Sequence, residues 1–182
     1  MSSSADVPEI VHEIQRHVNL VGIRLVRGKF ELLAVPQVTP SEWELDMNAR
    51  VGGNKPPGAE GFIQIVVGLD IVARPSVVGG KDKAANAASI SSDFGIDYRI
   101  ADVDFYRTIT DADVLQFGAR NGLFNAWPFL RAHIQGITAS MVLPIVLPTY
   151  RPGIMFPNLP KAIDQAIHSQ RGATASPVAR PK

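Results

Sequence analysis

The chain contains no cysteine, which excludes disulfides, a thiol nucleophile and thiolate metal sites. That composition suits a reducing compartment, and a cytoplasmic location is expected. Neither charge is in excess: Lys and Arg total 18, Asp and Glu 17. No overall field therefore draws the protein to nucleic acid or to an anionic membrane. No run of about 18 apolar residues occurs, so membrane insertion is not expected. Met1 to Glu9 lacks the basic region and apolar core of a secretory signal.

Chemical motifs are missing as well. There is no Gly-rich phosphate loop, no Gly-x-Ser-x-Gly elbow and no His-x-x-x-His pair. His12 and His17 stand five apart, a spacing that suits neither helical nor strand ligation of a metal. His133 lies beside an apolar stripe and reads as structural or surface rather than catalytic. No enzyme activity, metal or cofactor is expected.

What the chain has is patterning. Leu123, Trp127, Leu130, Ile134, Ile137 and Met141 recur at spacings of four and three, the stripe of a helix. Phe129, Ala132, Gly136 and Ser140 form a second, mostly small face. Pro128 fits if Asn125 is the N-cap, because the first turn has no intrahelical use for its N–H groups. The helix is then expected over 126–141, ending where Pro144 and Pro148 push the chain into an extended segment.

Upstream, Trp43 to Val51 alternates apolar and polar residues, the pattern of a half-buried strand. Phe62 to Ala73 is the most apolar strand, and 90–100 alternates again. Val18 to Val35 reads as a long strand with a bulge or bend at Gly28. Residues 9–17 fit either a short helix or an approach to that strand. Four strands joined by turn-rich loops imply an antiparallel meander. The expected fold is α+β: a four-stranded antiparallel sheet covered on one face by a long C-terminal helix and a shorter final helix. Asn158 is expected to cap that final helix, with Leu159, Ile163, Ala166 and Ile167 as its stripe. An N-terminal segment, 1–17, should precede one domain over 18–170. The basic tail, 171–182, is too polar to fold alone.

Glu44, Asp46, Asp70 and Asp97 fall on the wet face of the sheet. They read as a solvated face, as a docking patch for a basic partner, or less readily as an acid–base pair, since carboxylates in water lack the burial that separates their pKa values. Trp43, Leu45, Ile154, Met155 and Phe156 exceed what one sheet and one helix need, and surplus apolar surface marks polypeptide or ligand contacts.

Gly118, the run Phe124-Asn-Ala-Trp-Pro-Phe-Leu-Arg131, then Ile137-Thr-Ala-Ser-Met141 and Leu143-Pro-x-x-Leu-Pro148, together with the four strands, resemble the SecB protein-export chaperones. The likeness is nearer to the SecB-like branch, some of whose members accompany toxin–antitoxin systems, and it spans about residues 18–168. It implies an ATP-independent holdase for unfolded or nascent polypeptides, assembled as a homotetramer with the long helices packed between dimers. Trp127, Phe129, Arg131, Gly136 and Ser140 would then line the oligomer interface. The peptide groove would comprise Val35, Val38, Trp43, Leu45, Met47, Leu159, Ile163 and Ile167. Glu44, Asp46, Asp70 and Asp97 would be the face that docks the SecA motor. The near-neutral chain and basic tail depart from the acidic export form, which keeps an antitoxin-dedicated chaperone in view. A small α+β ligand-binding protein is the reading from outside the family.

Overall fold

The computed structural model describes residues 8–34, 42–76, 85–141, 143, 145–151, 154–156, 159, 163, 165 and 167. A short helix, α1 (Glu9–His17), leads into four strands, β1 (Val18–Leu32), β2 (Trp43–Asn54), β3 (Phe62–Pro75) and β4 (Ala88–Ile100). Three helices follow: α2 (Val103–Thr108), α3 (Asp111–Phe117) and α4 (Leu123–Ser140), the last two joined by a π-helical turn, Gly118–Gly122. Leu159, Ile163, Gln165 and Ile167 are helical. The architecture is α+β, one antiparallel sheet with helices on one face. The proposed cap Asn158 and the tail 171–182 lie outside the described residues.

The sheet is not a meander. Its order is β1-β4-β3-β2, with every pair antiparallel. β2, β3 and β4 are joined by successive hairpins, while β1 lies beside β4, a Greek-key arrangement. The β1–β2 connection must therefore cross three strand spacings, about 14 Å at roughly 4.8 Å each. The ten residues from 33 to 42 are long enough for that, and local patterning cannot distinguish such a crossing from a simple turn.

Period-two patterning sorts the two faces. Ile63, Ile65, Val67, Leu69, Ile71 and Ala73 of β3, and Ala88, Ile90, Phe94, Ile96, Tyr98 and Ile100 of β4, are buried under the helices. Gln64, Asp70, Arg74, Ser91, Asp93 and Asp97 project the other way. Val11 and Ile14 of α1 join the same core, so residues 9–17 pack as part of this body. The bulges in β1 fall at Val21 and Val26, where the register with β4 shifts, and Gly28 pairs regularly with Ser92.

Thr110 caps α3 through a reciprocal box with Asp113, and the run Thr110-Asp-Ala-Asp113 carries that pattern in the sequence itself. The start of α4 differs from the sequence expectation. Helix runs without a break from Asp111 through the π turn, so Asn125 is not a cap; its amide instead donates to the Tyr98 hydroxyl at 2.6 Å. Pro128 lies inside α4. The carbonyl it leaves unbonded belongs to Phe124, and both residues are on the exposed side, where water can take it. The buried line of α4 also drifts: Ala126, Leu130, Ile134 and Thr138 carry it, while Ile137 is half-buried and Met141 exposed.

Candidate functional site

Beyond α4 the described residues of 143–151 seal the core like a strap. Leu143, Ile145 and Leu147 are buried, and Val146 between them is exposed. Hydrogen bonds from backbone and side chains hold this strap, the Leu143 amide donating to the Thr138 carbonyl at 3.0 Å among them. The Trp127 indole donates to the Pro148 carbonyl at 3.0 Å, and the Ile145 amide donates to the Thr138 hydroxyl at 3.3 Å. Trp127 also gathers the aromatic residues that follow, with ring centroids 5.3 Å from Tyr150 and 6.1 Å from Phe156.

On the inner face of β2 the row Trp43, Leu45, Met47 is only half-buried. Tyr150, Met155, Phe156 and Leu159 pack against the same core and are half-buried too. Burial raises the Tyr150 phenol above its ordinary value. Among the described residues β2 pairs only with β3 and is a sheet edge, so the row lies beside backbone donors and acceptors that no described strand takes up. The result is an apolar groove with an open strand alongside it. Such a surface suits an extended polypeptide with apolar side chains.

Among the expected groove residues, Trp43, Leu45, Met47 and Leu159 are thus brought to one cluster. Ile163 and Ile167 are not open to a ligand: they are buried with Leu115 in a small cluster of their own, backed by Val51, Ala112 and Ala119. The final helix spends its stripe on α3. Val35 and Val38 lie outside the described residues. Tyr150 was missed by sequence reasoning, which took the Pro-rich segment only as a connection; its one signal was an aromatic closing an alternating apolar run.

The four carboxylates of the outer face do share that face, but they do not make a negative patch. Asp97 pairs with Arg24 and accepts from the Gln64 amide at 2.9 Å. Asp70 pairs with Arg50 and accepts from the Ser91 hydroxyl at 2.7 Å. Glu44 and Asp46 lie 3.2 and 4.0 Å from Arg74. Asp93, which sequence reasoning did not single out, ties two strands by accepting from Arg50 at 2.8 Å and Arg27 at 2.7 Å. Arginines in register cancel the acid strand by strand.

The expected interface residues divide. Phe129 is 47% exposed, and Gly136 and Ser140 are exposed as well. Arg131 is half-buried. Trp127, at 4% exposure, belongs to the interior of the chain and offers no surface. Phe124, outside the expected set, is the most exposed aromatic on α4. Among the described residues no cluster of His, Asp and Glu could hold a metal ion, and no helix is long and apolar enough to cross a membrane.

No model of a known protein family matches the chain, and no curated protein matches it in sequence. Among solved structures, a SecB-like chaperone of Mycobacterium tuberculosis, solved in complex with a ChAD peptide from an antitoxin, superposes with a TM-score of 0.65 at 14% identity, covering 80% of this chain and 99% of that one. The fold is SecB-like. At that identity the likeness speaks for the architecture, the four-stranded antiparallel sheet with its long C-terminal helix.

Proposed function

We propose that the protein is an ATP-independent chaperone that holds extended, apolar polypeptide segments against β2, acting in the cytoplasm as a homotetramer. One observation carries this reading: the half-open row Trp43, Leu45, Met47 lies at a sheet edge and borders the same apolar core as the half-buried Tyr150, Met155, Phe156 and Leu159. Burying about 400 Å² of such surface is worth roughly 10 kcal/mol gross at about 25 cal/mol per Å², before ordering costs. Reversible binding needs no covalent step and no nucleotide. Val35 and Val38 would extend the groove.

The decisive experiment dilutes a denatured test protein and follows light scattering with and without this protein, in the absence of ATP. Suppression is expected, and Trp43→Asp should abolish it while leaving the circular dichroism spectrum intact. A folded Trp43→Asp variant that suppresses normally would sink the groove assignment.

A second, narrower reading is a chaperone dedicated to an antitoxin. Two observations favour it over general export: the solved neighbour was captured with an antitoxin peptide, and Glu44, Asp46, Asp70 and Asp97 are matched by arginines. A SecA-type contact through that face would have to break those pairs. Coexpression with an antitoxin encoded beside this gene, compared with binding to a SecA homologue, separates the two; tight SecA binding would restore the export reading.

A further inference from the structure

One flank of α4 is turned toward β1, and His133 occupies it. Its ring lies over the bare backbone of Gly28: a Cβ built there would stand 3.5 Å from the imidazole Nε2. Phe94 of β4 meets the ring edge-on, at 5.6 Å between centroids and 78° between planes. Nε2 is buried and has no hydrogen-bond partner. Ser92, opposite Gly28 in the β1–β4 ladder, also has its hydroxyl buried and unpartnered.

No opposite charge faces this ring among the described residues. The inner face of β1 here presents Leu25, Gly28 and Phe30, and that of β4 presents Ile90, Ser92 and Phe94. Arg24, Arg27, Lys29 and Asp93 project to the outer face, where Arg24 and Arg27 pair with aspartates. The charged residue of α4 itself is Arg131, a cation that could only repel an imidazolium. The ring as a whole is half-buried; a neutral imidazole is tolerated in these surroundings, while a charged one would hold its Nε2–H dry and unpaired.

We propose that His133 is an acid-sensitive latch: α4 holds the β1 edge in place only while this imidazole is neutral, and mild acidification loosens β1. Burial lowers the His133 pKa from its ordinary 6.5, in keeping with that geometry. The unfolded chain takes up the proton near 6.5, the folded chain only below it. The latch's contribution is therefore complete above 6.5 and is lost as pH falls through the interval down to the depressed value. The inference goes beyond the chaperone reading and does not depend on it. It concerns the edge strand whatever that strand contacts.

The test uses the full chain. Titrated by NMR, the His133 ring should show a midpoint below 6.5. Amide exchange, corrected for its intrinsic pH dependence, should quicken in β1 relative to β3 between about pH 7.5 and about pH 5.5, which straddles the ordinary imidazole value. His133→Gln should remove that pH dependence. A midpoint at or above 6.5, β1 protection that tracks β3 throughout, or an acid response that survives His133→Gln would each overturn the proposal. If His133→Gln does not fold, the titration and exchange of the unaltered chain decide the matter.

Discussion

Gly68 and Arg50 show how single residues shape the outer face. A Cβ at position 68 would stand 2.5 Å from an Asp93 carboxylate oxygen and 2.7 Å from the Arg50 guanidinium. Glycine leaves the room in which Arg50 lies flat across β3 to reach both Asp70 and Asp93. Gly68→Ala is expected to displace the Arg50 guanidinium and lower stability by no more than about 1 kcal/mol, the scale of partly exposed ion pairs, measured as a shift of the urea midpoint. An unchanged midpoint would mean the pairs move aside freely. Thr138 is the buried counterpart. Its hydroxyl donates to the Ile134 carbonyl at 2.8 Å and accepts from the Ile145 amide at 3.3 Å. Thr138→Val keeps the volume but removes one of two acceptors of that amide, which also donates to the Leu143 carbonyl at 2.7 Å, so a loss of about 0.5–1.5 kcal/mol is expected, with faster proteolysis of the 143–151 strap. Cleavage at the wild-type rate would show that the backbone bonds and Trp127 hold it without the hydroxyl.

The π turn is the element that sets helix against sheet. A Cβ on Gly118 would meet the Ile65 Cδ1 at 2.9 Å, and one on Gly122 the Ile65 Cγ2 at 2.9 Å. Helix and strand approach so closely that only hydrogen fits between them. The wider turn displaces the usual hydrogen bonds, and Asn121 answers by donating its amide to the Phe117 carbonyl at 3.2 Å, while accepting from Gln15 of α1 at 2.6 Å. Gly122→Ala should push α4 off β3 and cost about 1–3 kcal/mol, although alanine favours helix by about 1 kcal/mol over glycine in isolation. A melting temperature raised by this substitution would show that propensity outweighs packing here. In the sequence alone Asp104 to Gly122 reads only as a transition segment; contact with Ile65 is what makes Gly118–Gly122 a helical turn against the sheet.

The whole molecule leaves an edge uncovered. Leu20, Val21, Leu25, Val26 and Leu32 of β1 are exposed, as are Phe124 and Phe129 of α4. A long apolar edge strand left in water invites pairing with another chain, which fits the proposed assembly. Phe129→Glu should lower the molecular mass in sedimentation without changing the thermal unfolding of the subunit core. A mass unaffected by the substitution would move the interface away from α4.

Much of the architecture was legible. Period-two runs located β2, β3 and β4, the Thr110–Asp113 spacing placed a helix start, and the stripe from Leu123 to Ile134 located α4. These signals are local: they depend on which face of a strand or helix is dry, and hydrophobicity at a fixed period records that directly. The missing cysteines and catalytic motifs likewise bounded the chemistry. Strand order, by contrast, depends on how chain segments cross in space, and meander and Greek key share one local pattern. The bulges at Val21 and Val26, the helical Gly118–Gly122 turn and interior Pro128 were decided by packing against other strands or by exposure. The fate of the acidic face was decided the same way, because Arg24, Arg27, Arg50 and Arg74 reach Asp97, Asp93, Asp70 and Glu44 only once the register is set. Local patterning determined the elements and the apolar character of the groove. Tertiary structure decided which apolar residues stay open: Ile163 and Ile167 find Leu115, while Trp43, Leu45 and Met47 lie at an edge with no further strand to cover them.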